Sequence, residues 1–178
     1  MAQAANALLI LLELVGLSIS IADRRWKIFA YYTQISNLLA LASAVAFLLL
    51  GEKVAALRYL STCMLAMTFI ISLCVLAPFG GGFKEMMLSD NKLYHHTLCP
   101  IISLASYVLW EPHGGTWVAP VAVTTVYGLA MLYLNYLRRF DGPYPFFRVH
   151  DQSVLASVLW TLALMALIGG LSIGIDRL

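Results

Sequence analysis

The chain has 178 residues, 61% of them apolar and 11% charged, with a mean hydropathy of +0.84. A water-soluble domain carries about a quarter charged residues and could not hide this much apolar surface at this size, so lipid is the expected solvent for most of it. A net charge of +2 on dispersed Lys and Arg argues against a nucleic-acid partner, and three cysteines (Cys63, Cys74, Cys99) without a CxxC pair argue against a disulfide framework or a zinc knuckle.

A hydrocarbon layer about 30 Å thick takes about 20 largely apolar helical residues to cross. Six segments qualify, running approximately from Ala5 to Ala22, Ile28 to Leu50, Leu57 to Phe79, His96 to Trp110, Trp117 to Leu137 and Val154 to Ile173. They predict an all-α integral membrane protein, a six-transmembrane-helix bundle forming a single domain over 1–178. The first segment lacks the basic start of a secretory leader and carries Glu13, so it is expected to stay as a helix. An acid at mid-membrane must be protonated, paired or facing a cavity; substrate-headgroup contact and a helix–helix hydrogen bond both fit. Loops one-two, three-four and five-six hold Arg24, Arg25, Lys27, Lys84, Lys92, Arg138, Arg139 and Arg148, against Lys53, Arg58 and Arg177 on the other side. This asymmetry predicts that those three loops face the cytoplasm and both termini the far side. Minimal tails fit a bacterial cytoplasmic membrane.

Polar residues gather at that same face. The second segment opens with FAYYTQISNLL, in which Thr33 and Asn37 are four residues apart and share one helix face. The fourth opens with LYHHTLCP, carrying His95 and His96, and the last loop holds GPYPFF, with Tyr144, Phe146 and Phe147. Topology thus delivers a threonine, a histidine and an aromatic lid to one membrane surface. A Thr hydroxyl attacks a carbonyl once a base takes its proton, and His has the right affinity near neutral pH. The amides of Gln34 and Asn37 are candidates to stabilise an oxyanion. The plainer alternative is a Thr bonded to its own helix and a His resting among headgroups.

FAYYTQISNLL, HHTLCP and GPYPFF resemble the androgen-induced protein family, which includes the androgen-dependent tissue-factor-pathway-inhibitor-regulating branch, and its small bacterial membrane relatives. The resemblance spans roughly Arg25 to Phe147. It implies a multi-pass hydrolase that cleaves fatty acid esters of hydroxy fatty acids with an intramembrane threonine and a histidine. The threonine after the aromatic pair matches Thr33. The histidine ahead of the proline matches His96 by the bacterial spacing and His95 by the mammalian one. The substrate is then expected to lie among the helices, and the residues read above, Tyr32, Gln34, Asn37, His95, Tyr144, Phe146 and Glu13, are its candidate contacts. Its partners are then lipid esters drawn from the bilayer, and no metal or organic cofactor is needed.

Two other classes compete. Six polar-punctuated helices are compatible with a small transporter or channel, although no inverted repeat is visible. A metal-dependent lipid hydrolase would draw on Glu85, Asp90, His95, His96, His150 and Asp151. On a regular helix, however, adjacent histidines point about 100° apart and rarely serve one ion.

Overall fold

The computed structural model describes residues 1–140 and 144–178, and the side chains of all of these except 23–27. The basic Arg24, Arg25 and Lys27, and Gly142 and Pro143 of the lid motif, therefore lie outside the described residues or side chains. All regular structure among the described residues is helical. The long helices are α1 (Ala2–Arg24), α2 (Tyr32–Leu50) and α3 (Ala55–Ile71). A short α4 (Phe83–Met87) precedes α5 (Cys99–Trp110), α6 (Val118–Tyr136) and α7 (Val154–Asp176).

Among the described residues, four helical stretches are long and apolar enough to cross a membrane: Ala2–Ala22, Tyr32–Phe79, Val118–Tyr136 and Val154–Asp176. The second of these, 48 residues long, is a hairpin. Gly51 ends α2 at φ +61°, a left-handed conformation that costs least without a Cβ, and the 3₁₀ turn Gly51–Val54 follows. The hydroxyls of Ser43 and Ser61 then meet at 2.8 Å, and those of Ser36 and Thr68 at 2.9 Å. Seven residues back along α2 are matched by seven forward along α3, so the two helices run antiparallel.

Two π-turns flank the short α4, and they have one cause. Pro100 has no N–H to offer the carbonyl four residues earlier, and the preceding turn Leu93–Leu98 widens so that Cys99 N–H reaches Tyr94 instead. Pro78 has the same effect on Ser72–Leu76, where Ala77 N–H reaches Ser72. The helical path into α5 consequently begins at Asp90, six residues before the expected start at His96.

Helix α3 is central and touches α2, α5, α6 and α7; α1 packs on α2 and α5, while α6 and α7 pair with each other. The distribution of polarity is inverted relative to a soluble protein. Val154, Leu155, Leu159 and Leu162 of α7 are exposed, whereas Glu13, Arg58, Thr62, His95 and Ser103 are buried. Outward apolar side chains and an inward polar layer are what a lipid solvent selects. At the Asn6 end of α1, Arg58 Nε bonds Glu111 Oε2 at 2.8 Å, with both side chains fully buried. Arg58 is therefore a helix-packing residue and not the free loop charge expected from its position. Ser43, Ser61 and Ser103 take its remaining donors, and Asn6 and Ser106 donate to Glu111.

Candidate active site

Thr33 is the second residue of α2, where backbone N–H groups have no intrahelical acceptor. Its N–H donates to the phenol oxygen of Tyr144 at 3.3 Å, and its Oγ1 lies 3.2 Å from the same oxygen. The Thr33 carbonyl accepts from Ser36 Oγ at 2.9 Å and Asn37 Nδ2 at 2.6 Å. The i, i+4 relation read from the sequence is thus a direct bond, but it turns the Asn37 amide to backbone oxygens: its other acceptor is the His95 carbonyl at 3.3 Å.

The two adjacent histidines part company. His96 Nδ1 meets the Met86 carbonyl at 2.8 Å, and Thr97 Oγ1 donates to the Met87 carbonyl at 2.7 Å. These carbonyls end the five-residue α4, where no helical N–H follows to satisfy them. Because a carbonyl only accepts, His96 Nδ1 carries the proton and Nε2 keeps its lone pair. His95 points the other way. Its Nδ1 lies 3.1 Å from Gln34 Nε2, and its Nε2 lies 3.6 Å from Glu13 Oε2. Glu13 accordingly faces His95 and not His96.

Thr33, His96 and Tyr144 line one cavity of about 190 Å³, together with Gln34, Asn91 and Lys92. A second, apolar cavity of about 50 Å³ lies on the other side of Thr33 and Tyr144, walled by Tyr32, Met67, Ile71, Phe146, Phe147 and Leu164 among others. Thr33 and Tyr144 are the residues common to both walls that carry hydroxyls. Tyr32 itself bonds Thr124 across this apolar space at 2.8 Å. Phe146 stacks on Tyr144 with centroids 5.1 Å apart and planes 5° from parallel.

The residues expected at the site thus divide. Thr33, His96, Tyr144 and Gln34 meet in the polar cavity, and Tyr32 and Phe146 line the apolar one. Glu13, Asn37 and His95 lie with Gln34 around a separate void that has no room for water. No hydrogen bond joins Thr33 to His96 among the described residues; the threonine hydroxyl is held by Tyr144. The amides expected to stabilise an oxyanion are occupied elsewhere, Asn37 as above and Gln34 Nε2 by Ser20 at 3.3 Å and by His95. Asn91 was not singled out in the sequence and Lys92 was expected only as a basic loop residue, although Lys92 precedes His96 by four positions, the spacing at which two helical side chains share a face. Among the described residues no three His, Cys, Asp or Glu gather as a metal cluster. His150 and Asp151 line a different cavity, with Asn135 and Arg148.

No protein-family model, curated protein or solved structure matches the chain.

Proposed function

We propose that this protein is an intramembrane lipid-ester hydrolase in which Thr33 is the nucleophile and His96 the base. One observation carries the reading: Thr33 stands in the wall shared by a polar cavity lined by His96 and an apolar cavity that no charged side chain lines among the described residues. That is the arrangement an amphiphilic ester requires, with its acyl chain on one side and its polar remainder on the other. Thr33 Oγ1 attacks the ester carbonyl carbon and its proton passes to His96 Nε2. The C–O bond to the leaving alcohol breaks as that alkoxide takes the proton back. Water then attacks the acyl carbon as His96 Nε2 takes its proton; the bond to Thr33 Oγ1 breaks, Oγ1 recovers that proton, and the acid leaves. Fatty acid esters of hydroxy fatty acids are the substrate class that the motif resemblance favours.

The same reading places six spans in a bacterial cytoplasmic membrane, with the cavity mouth on the cytoplasmic side. Burial of Arg58 in its ion pair supports that orientation, because it leaves Lys53 and Arg177 as the basic residues of the far side among the described residues. Purified protein is expected to label with a fluorophosphonate probe and to hydrolyse members of a lipid-ester panel. Thr33→Ala should abolish both, and His96→Ala should do so while His95→Ala retains measurable turnover. Full turnover by Thr33→Ala refutes the covalent scheme in favour of a directly activated water.

A further inference from the structure

We infer that Tyr144 is a further catalytic residue of this site, its phenol O–H joining the Thr33 N–H to hold the ester carbonyl oxygen as it becomes an oxyanion. The inference rests on Thr33 being the nucleophile. It begins from an elimination. Acyl transfer needs donors aimed at the developing charge, and the side-chain amides nearest Thr33 are not free to serve. Both acceptors of the Asn37 amide are backbone carbonyls, and Gln34 Nε2 is bonded to Ser20 and His95. Asn91 and Lys92 of the same cavity are bonded to Ser20 and Glu85, so the donors left beside the Thr33 hydroxyl are its own N–H and the Tyr144 phenol, which contact each other.

Their geometry fits the role. In hydrolases of the chymotrypsin type, the nucleophile's own backbone N–H is one of the oxyanion donors. Here that N–H lies in the first turn of α2 and points at an oxygen 3.3 Å away, so an oxygen already occupies the position an oxyanion would take. The occupant is the phenol of Tyr144. As a substrate carbonyl arrives, the phenol yields the Thr33 N–H to the carbonyl oxygen and swings aside to donate its own O–H to that same oxygen. Tyr144 keeps its proton throughout; the Thr33 proton goes to His96 and then to the leaving alkoxide. The phenol needs no long side-chain search to make this turn. Its ring is stacked on Phe146 and meets Phe147 edge-on at 6.0 Å, and Trp160 of α7 backs Phe146 at 5.6 Å. Preorganisation of this kind is what makes a single donor effective in a water-poor site.

Tyr144→Phe removes the donor and keeps the ring, so detergent-solubilised protein should unfold near the wild-type temperature. With a lipid ester that wild type turns over, kcat is expected to fall about 100- to 1,000-fold, the cost of losing one oxyanion donor, with KM changed by less than about threefold. Affinity for a long-chain phosphonate monoester, which presents the charged oxygen, should fall with kcat, while affinity for the matching ether, which has no such oxygen, should not. Wild-type kcat in Tyr144→Phe, or equal losses for phosphonate and ether, overturns the inference. Thr33→Ala separates the two failures: if it still turns over, the nucleophile assignment falls, whereas an inactive Thr33→Ala beside a fully active Tyr144→Phe removes Tyr144 alone. Should Tyr144→Phe not fold, fluorotyrosines of increasing acidity at position 144 preserve ring and hydroxyl. A rate and pH profile that follow phenol acidity support the donor role; indifference to it refutes it.

Discussion

His95 and His96 are neighbours in the chain with opposite surroundings, and the difference comes from single atoms around each ring. His96 is held by a carbonyl that α4 leaves free, and its other nitrogen is available beside the polar cavity. His95 is pressed against α1, where Gly16 lies directly beneath its ring. A Cβ on Gly16 would come within 2.5 Å of His95 Nε2 and 2.8 Å of Tyr94 Cβ, closer than packed atoms tolerate. Gly16→Ala is therefore expected to destabilise by about 1 to 3 kcal/mol through overpacking. Thermal unfolding in detergent measures it, and an unchanged midpoint would show that the α1–α5 contact is looser than described. Tyr59 offers a comparable detail, its phenol donating to the Ser172 carbonyl at 2.6 Å and thereby tying α3 to α7.

Helices α3 and α5 are joined by charge as well as by packing. Arg58 presents its guanidinium as a fork to both Glu111 oxygens, at 2.8 and 3.0 Å. A buried pair of this kind gains little or nothing over apolar residues of equal volume, because desolvation offsets the attraction, but breaking it strands a charge. Glu111→Gln leaves Arg58 without its counter-ion and is expected to cost about 3 to 5 kcal/mol, whereas replacing both residues by leucine should recover much of that loss. Burial by itself raises the Glu111 carboxyl, but bonds and charge from Arg58, with help from Ser106 and Asn6, hold it below the ordinary carboxylate range. A carboxyl lowered by folding binds its proton more weakly in the native state than in the unfolded one. The stabilisation is therefore complete above the ordinary carboxylate pKa and is lost as pH falls through the lowered one. An acid titration of thermal stability should show this loss in wild type and little of it in the double-leucine variant. The π-turns belong to the same scale: a proline at position 100 sets the helix path that carries both histidines.

Across the whole molecule, lipid as solvent explains what a soluble fold would forbid. The apolar outer faces of α6 and α7 and the polar layer between α1, α2, α3 and α5 are two sides of one distribution. Inside hydrocarbon, a polar group unable to reach water must bond another helix, and Ser36–Thr68, Ser43–Ser61 and Thr62–Ser103 are such bonds. The proposed orientation has a direct test. In a chain whose three cysteines are replaced, Glu52→Cys should react with a membrane-impermeant maleimide in intact cells, and Arg139→Cys only after permeabilisation. The reverse pattern would invert the topology and place the cavity mouth outside.

Apolar helices were legible in the sequence because solvation by lipid is decided locally, residue by residue, along each segment. So was the concentration of polar side chains at the starts of α2 and α5, which composition alone displays. The hairpin at Gly51 and the earlier start of the α5 path at Asp90 were less visible, because proline acts on the turn before it and π-turns have no period of their own. Which residues share a cavity was settled only in three dimensions. Tyr144 meets Thr33 across 111 positions of chain, and Glu13 meets His95 rather than His96 because Gly16 leaves space for one ring. Spacing within a helix fixes which way a side chain leaves its own axis; what it finds there depends on helices packed from elsewhere. The Arg58–Glu111 pair makes the same point, since a residue that reads as loop charge became the buried link between two helices once α5 was packed beside α3.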